Sequence, residues 1–423
     1  MILRPLLVAA VGSALLAPAA GAAEYVPGEV IVREGSASAP ATRVVKVRDG
    51  STVRETIARI RRRSGVLTAT PNYIARASFI PNDPGRLGAP GGWQQLQWNF
   101  AGPFGVNAPA AWDNVERAGR RGGSGVVVAV LDTGVAYSDK GRFTRSPDLR
   151  GDRFKRGYDF VDGDRRPNDH NGHGTHVAST IAESVDNGVG VTGLAFGAKI
   201  MPVRVLDRFG EGDSAAIAGG IRFAARRRVH IINLSFEFGR RVRARQIPDI
   251  LDALRFARRR GVLVVGASGN AEARSVAYPA RADAVLSVGA TTERGCLAKY
   301  SNHGPTLDVV APGGGRDAPL AGDPNCEPLR RRGGDIVQMT FTRNVRTFGL
   351  PGGYEGTSMA APHVSGVAAL AIASGVLGRR PSPDAIEAHL KATARDLGGP
   401  GPDLSYGAGL VDATAATTPA PPA

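Results

Sequence analysis

Residues 126–134 read Val-Val-Val-Ala-Val-Leu-Asp-Thr-Gly, an apolar run that ends abruptly on a carboxylate and a glycine. No polar residue alternates with the apolar ones from Val126 to Leu131. A strand of this kind is covered on both faces, which is the condition of a parallel sheet. Four further runs have the same character: Lys199 to Val205, His230 to Ser235, Val262 to Gly266 and Ala284 to Val288. Helical patterns lie between them. Ser214 to Arg227 is one; another carries Pro248 near its first turn, Ile250, Leu251, Leu254 and Ala257 on one face, and Gly261 at its stop. Strand and helix in alternation imply an α/β fold in three layers, with a mainly parallel central sheet and right-handed crossovers.

In such a sheet, function gathers at the carboxyl ends of the strands. Asp132 stands at one of them, although an isolated Asp there equally forms a turn. Asn171-Gly172-His173-Gly174-Thr175-His176 opens an apolar helix, with His173 flanked by glycines. His173 and His176 lie on one helical face. Two histidines at that spacing raise a metal site, but no third or fourth ligand is evident and the Glu of a zinc-protease helix is missing. Gly356-Thr357-Ser358-Met359-Ala360 leads into a long helix of small residues, Ala360 to Ala373, with Gly375 near its end. Pro362 reads as a first-turn residue, where its missing N–H does no harm. Free amides at the helix start suit an oxyanion, while a lone Ser358 there would equally be an N-cap.

Asp, His and Ser in that order, each in a glycine-punctuated setting, resemble the subtilisin-like serine proteases (subtilases, peptidase S8 type). The resemblance runs from about Trp93 to Val411. It implies a serine endopeptidase in which Ser358 is the nucleophile, His173 the general base and Asp132 the group that orients the histidine. Ala267-Ser268-Gly269-Asn270 resembles the family's oxyanion segment, which implies that Asn270 donates its side-chain amide. The strand Ile231 to Ser235 resembles the one that pairs with extended peptide. Ser235, Phe236 and Glu237, with Ala267, Ser268 and Gly269, would then border the pocket for the residue before the cut. Phe236-Glu237-Phe238 departs from the small residues and glycine commoner there, so Glu237 either faces a basic side chain or turns to solvent. No cofactor is implied for catalysis. Calcium is a habit of the family, and Asp186-Asn187-Gly188 resembles its strong calcium loop; Asn187, Asp148 and Asp83 are the candidate oxygen ligands. An ordinary Asn-Gly turn is the alternative.

Upstream, Pro27 to about Phe79 has its own pattern. Val30 to Val32 and Val44 to Val47 read as strands, Thr52-x-x-Glu55 as a capping box opening a helix, Pro71-Asn72 as a turn, and the rest as an extended stretch. This α+β unit of about fifty residues resembles the family's pro-segment, a folding aid and intramolecular inhibitor. Pro81 to Gly92 reads as an exposed Pro/Gly-rich linker. Arg4, the apolar run Leu6 to Leu16 and the small residues Ala20 to Ala23 read as a secretory signal peptide. The division expected is 1–22 signal peptide, 23–80 pro-segment, 81–414 catalytic domain and 415–423 a disordered Ala/Thr/Pro tail. The product would be secreted, extracellular or held in the cell envelope, without a transmembrane segment, and would work as a monomer on protein or peptide substrates. Cys296 and Cys326 are the two cysteines, and in an exported chain two is the number for one disulfide. Two buried thiols are the alternative, and neither reading makes them catalytic.

The net charge of +15 raises nucleic acid or an acidic surface as a partner. It is spread in short arginine runs, two of them at helix ends where cations suit the helix dipole, and no aromatics interleave them. A solvated basic surface is the plainer reading, with no nucleic-acid partner. Rival readings fare worse. A catalytically silent subtilisin-fold protein predicts a damaged triad, whereas all three positions and Asn270 are intact. A basic extracellular binding protein predicts salt-dependent binding that survives Ser358→Ala. An esterase would need a Gly-x-Ser-x-Gly elbow, which is missing.

Overall fold

The computed structural model describes residues 25–36, 39–73, 79–86, 88–328 and 332–419. The signal peptide read over 1–22 and the last four residues lie outside the described residues. The chain divides into two compact units, one within the first 78 residues and one from Phe79 to Thr418.

In the first unit, β1 (Tyr25–Ser36), β2 (Ala39–Lys46) and β3 (Val66–Tyr73) form an antiparallel sheet in the order β2-β1-β3, with α1 (Val53–Arg61) packed on it. Its core is small: Val30, Val32, Ile60 and Ala69. The capping box forms as read, with Thr52 Oγ1 accepting from Glu55 N at 3.1 Å and Glu55 accepting from Thr52 N at 2.8 Å. Pro71-Asn72 is not a turn. Both residues continue β3, because β3 is an edge strand and Pro71 pairs with Val30 where no ladder N–H is needed.

The second unit is built on seven parallel strands: β4 (Val127–Asp132), β5 (Tyr158–Asp159), β6 (Lys199–Arg204), β7 (Ile231–Leu234), β8 (Leu263–Ala267), β9 (Leu286–Thr291) and β10 (Val309–Pro312). Their order is β10-β9-β8-β7-β4-β6-β5. The chain leaves β4 for β5 and β6 on one side and returns past it to β7 on the other, so β4 and β7 flank the switch point where such sheets open a crevice. Five of the seven strands match the apolar runs. β5 and β10, two and four residues long, are too short to stand out in sequence.

Two apolar cores separate along each strand with period two. Val128 and Val130 of β4 face one way, and Ala129 and Leu131 the other. One face is covered by α3 (Ala108–Arg117), α4 (His173–Ala182), α7 (Thr357–Ser374), α8 (Pro383–Ala392) and α9 (Ala413–Thr417). The opposite face is covered by α5 (Ser214–Arg226) and α6 (Pro248–Arg259). A short helix, α2 (Trp98–Ala101), adds Phe100 to the first core, where Phe100 and Trp93 meet Trp112 edge-on. α7 is buried on all sides, which explains why its residues are small. The tail read as disordered from Ala415 instead begins inside α9, whose Ala413 and Ala416 are buried and whose N-cap is Asp412.

Two other readings change. Pro81 to Gly92 is not a free linker, since Pro81 O accepts from Trp93 Nε1 at 2.7 Å and Asp83 is fully buried. Pro362 is the sixth residue of α7, not a first-turn residue. Its missing N–H frees the Ser358 carbonyl, and Ser235 Oγ donates to that carbonyl at 2.8 Å. Cys296 and Cys326 are joined by a disulfide across a sequence separation of 30. Closing a loop of that size stabilises the fold by about 3–4 kcal/mol on the chain-entropy account. Among the described residues no helix is long and apolar enough to cross a membrane.

Candidate active site

Asp132 is the last residue of β4 and fully buried. His173 is the first residue of α4. The two meet with His173 Nδ1 2.7 Å from Asp132 Oδ1, which makes Nδ1 the donor and leaves Nε2 as the free ring nitrogen. About a quarter of the His173 side chain (27%) is open to solvent. Burial pushes its pKa down, but the charge and hydrogen bond of Asp132, with Asp169 adding to them, outweigh that and hold the imidazole above its ordinary value.

The ends of β4 and α4 are locked together by Asp169, whose part sequence reasoning missed. Its Oδ1 accepts from Thr133 Oγ1 at 2.9 Å and from the N–H groups of Asn171 and Gly172 at 2.8 and 2.9 Å. Its Oδ2 accepts from Thr175 N at 2.9 Å and Thr175 Oγ1 at 2.6 Å. Gly174 lets the segments touch, because a Cβ there would lie 2.1 Å from Gly134 O and 3.0 Å from Asp132 Cβ. The signal was the Asp two residues before an Asn-Gly, an Asx-turn spacing.

Ser358 enters α7 at its second residue, where its N–H belongs to the first-turn amides that have no helical acceptor. Its Oγ donates to Ser235 O at 2.9 Å, and among the described residues no hydrogen bond joins it to His173. Hydrogen bonds between a nucleophile and its base commonly tighten only when substrate is bound.

Asn270 follows β8. Its Oδ1 accepts from Thr357 N at 2.8 Å and Thr357 Oγ1 at 3.0 Å, which fixes the amide orientation and leaves Nδ2 as a donor. The place a Cβ would take on Gly356 lies 3.6 Å from Ser358 N and 3.7 Å from Asn270 Nδ2. Two donors therefore flank one small space beside Ser358, the arrangement that stabilises a developing oxyanion. The loop after β8 is braced by Asn302, also missed in sequence, which accepts from the N–H groups of Ala271 and Ala273 and donates to Ser268 O. Ser235, Phe236 and Glu237 continue from β7, and Ala267, Ser268 and Gly269 from β8, to the same edge of the sheet. Glu237 is half-buried, and its Oε1 accepts from Asn270 N at 2.8 Å.

His176 takes no part in a metal site. It is fully buried, its Nε2 donates to Ile336 O at 2.9 Å, its ring stacks on Tyr354, and burial pushes its pKa down to about 3.

The calcium candidates converge. Asn187 Nδ2 donates to Asp148 Oδ1 at 2.7 Å, and Asn187 N to Asp83 Oδ1 at 3.4 Å. Glu183 joins them electrostatically and was not foreseen. Asp83, Asp148 and Glu183 are all fully buried, and Asp83 Oδ2 and Glu183 Oε2 have no hydrogen-bond partner. Burial first, opposed by nearby amides, pushes Asp83 up to about 6, with the Asp186 charge adding to it; burial and the neighbouring carboxylates push Asp148 and Glu183 well above the carboxylate range. No cluster of three or more His, Cys, Asp or Glu among the described residues could hold a metal by itself. A cation here would need Asn187 Oδ1 and main-chain carbonyls as well, a hard-oxygen set that suits calcium.

Comparison with known proteins adds a family to this geometry. The model of the subtilase family (Peptidase_S8) matches residues 123–409. Subtilisin Savinase of Lederbergia lenta is 38% identical over 328 residues, covering 77% of this chain and 99% of that protein. The thermophilic serine proteinase of Bacillus sp. strain AK1 is 35% identical over 339 residues, covering 80% of this chain and 70% of that one. Among solved structures, a protease from Pseudoalteromonas arctica PAMC 21717 superposes with a TM-score of 0.62 at 32% identity, covering 80% of this chain and 98% of that chain.

Proposed function

Because the chain belongs to the subtilase family and is a subtilisin-like serine endopeptidase, we propose that Ser358, His173 and Asp132 are its catalytic triad and that it is made as a secreted, self-processed precursor. Ser358 Oγ attacks the scissile carbonyl while His173 Nε2 takes its proton. Asp132 keeps the tautomer with the proton on Nδ1 and stabilises the imidazolium. The tetrahedral oxyanion sits between Asn270 Nδ2 and Ser358 N–H. His173 then gives its proton to the leaving amine, an acyl-enzyme forms on Ser358, and water releases the second product by the same route.

The observations that carry this reading are an Asp132–His173 hydrogen bond of 2.7 Å and two donors, Ser358 N and Asn270 Nδ2, within 3.6 and 3.7 Å of one point beside Gly356. The chemistry draws on side chains and backbone amides, with no catalytic cofactor. Residues 23–80 act as folding aid and inhibitor; what supports this is a separate compact unit with its own small core. Export is supported by the leader-like N-terminus and the disulfide. Asp83, Asp148 and Asn187 would hold a structural calcium ion, supported by buried carboxylates whose repulsion no side-chain cation among the described residues relieves. A fluorophosphonate probe tests the triad: it should label Ser358 alone, and labelling should be lost in His173→Ala. Labelling at another serine would exclude the assignment.

A further inference from the structure

Two residues beyond Ser235, whose carbonyl accepts from Ser358 Oγ, stands a carboxylate that the triad does not use, that of Glu237. β7 and β8 pair in parallel up to Leu234 and Gly266. Beyond that pair the two chains part: Ser268 N turns to Val288 O of β9, and no main-chain bond links Ser235–Glu237 to Ala267–Asn270 among the described residues. The Glu237 side chain reaches from the end of β7 to the segment after β8. Its Oε1 accepts from Asn270 N at 2.8 Å, and its Oε2 lies against Gly269, where a Cβ would be only 2.2 Å away. Gly269 has a φ of +108°, so the turn and the carboxylate both require glycine.

Among the described residues this carboxylate has no counter-charge. No Lys, Arg or His among them lies within ion-pair distance of it, in a chain with 53 Lys and Arg against 38 Asp and Glu. Burial pushes its carboxyl above the ordinary range, opposed only by the Asn270 N–H. A part-buried carboxylate left in this state is stabilised by any cation brought to it. The substrate brings the side chain nearest to it. The carbonyl under attack points its oxygen at the Asn270 side chain, and the N–H of the same Asn270 holds Glu237. The residue contributing that carbonyl therefore projects its side chain into the gap between the two segments that Glu237 spans.

We infer that this protease prefers Lys or Arg as the residue on the acyl side of the cut, with the Glu237 carboxylate as the counter-charge. The inference rests on the serine endopeptidase reading and names the substrate class for that site. Arginine would meet the carboxylate with two parallel N–H donors and lysine with a single ammonium.

Matched quenched peptides test it, identical except at that residue: Arg against citrulline, and Lys against norleucine. For the wild type, kcat/KM should favour the charged member of each pair by about tenfold or more, the size of a charge-assisted hydrogen bond. Glu237→Gln keeps an acceptor for Asn270 N and removes the charge, so both ratios should fall towards one. Should that variant fail to fold, inhibition of the wild type by a peptide aldehyde ending in arginine, against one ending in citrulline, reads the same preference. Ratios near one in the wild type, or ratios that survive Glu237→Gln, overturn the inference and leave the endopeptidase reading standing. Cleavage of no peptide by the wild type, with Ser358→Ala indistinguishable from it, removes both.

Discussion

His173 sits between two opposing influences, burial that favours the neutral ring and the Asp132 carboxylate that favours the charged one. Only the neutral ring can take the Ser358 proton, so kcat/KM should rise with pH through a pKa above the ordinary imidazole value. In Asp132→Asn the opposing carboxylate is gone and burial acts with little to resist it. The acidic limb of the pH profile should then move to lower pH. Turnover should also fall about 10⁴-fold, because the ring loses the group that fixes its tautomer. A pH–rate series on the two proteins checks both. An unmoved limb would mean that Asp132 does not govern His173.

Between elements, Asp169 does the joining, since it accepts five hydrogen bonds from the end of β4 and the start of α4. Asp169→Asn keeps the shape but puts an NH2 group, which accepts no hydrogen bond, in place of one oxygen, so that either Thr175 N or the Asn171 and Gly172 N–H groups lose their acceptor. Stability should drop by about 1–3 kcal/mol, the cost of orphaned buried donors. As a positioning effect, kcat should fall with KM little changed, and the acidic limb should shift down with the loss of the Asp169 charge near His173. Urea unfolding and a pH–rate profile separate this from a merely structural role, which would leave the limb in place. Asp169 also marks where reading from sequence runs out. The strands were legible because unbroken Val/Ile/Leu runs of that length suit a sheet covered on both faces, and Asp132, His173 and Ser358 stood out as candidates because glycines punctuate their settings. Asp169, Asn302 and Glu183 act through bonds between distant segments, which no local pattern announces. Pro71 and Pro362 were misplaced for a related reason: a proline is tolerated wherever a partner elsewhere supplies or excuses its missing hydrogen bond. At Pro362 that partner is Ser235, 127 residues earlier in the chain.

Across the whole molecule, the excess of positive charge contrasts with the buried acids Asp83, Asp148 and Glu183. Their pKa values are raised in the folded protein, Asp83 to about 6, so the folded state holds protons that the unfolded chain has released. Stability from these groups is present in full below about pH 4 and is lost as pH rises through about 6 and beyond. Calcium bound to the carboxylates would offset that loss. In Ser358→Ala, which avoids self-digestion, added calcium should raise Tm more at pH 7.5 than at pH 5, and a chelator should reverse it. Equal effects at both pH values would mean that the ion binds elsewhere.

The most direct test of the account is to purify the full precursor and its Ser358→Ala variant, assay both on casein and sequence their N-termini. Hydrolysis by the wild type alone, with a new N-terminus between Ala75 and Gly92 in the wild type alone, is the result predicted. A folded wild type that leaves casein intact and keeps its pro-segment would contradict it.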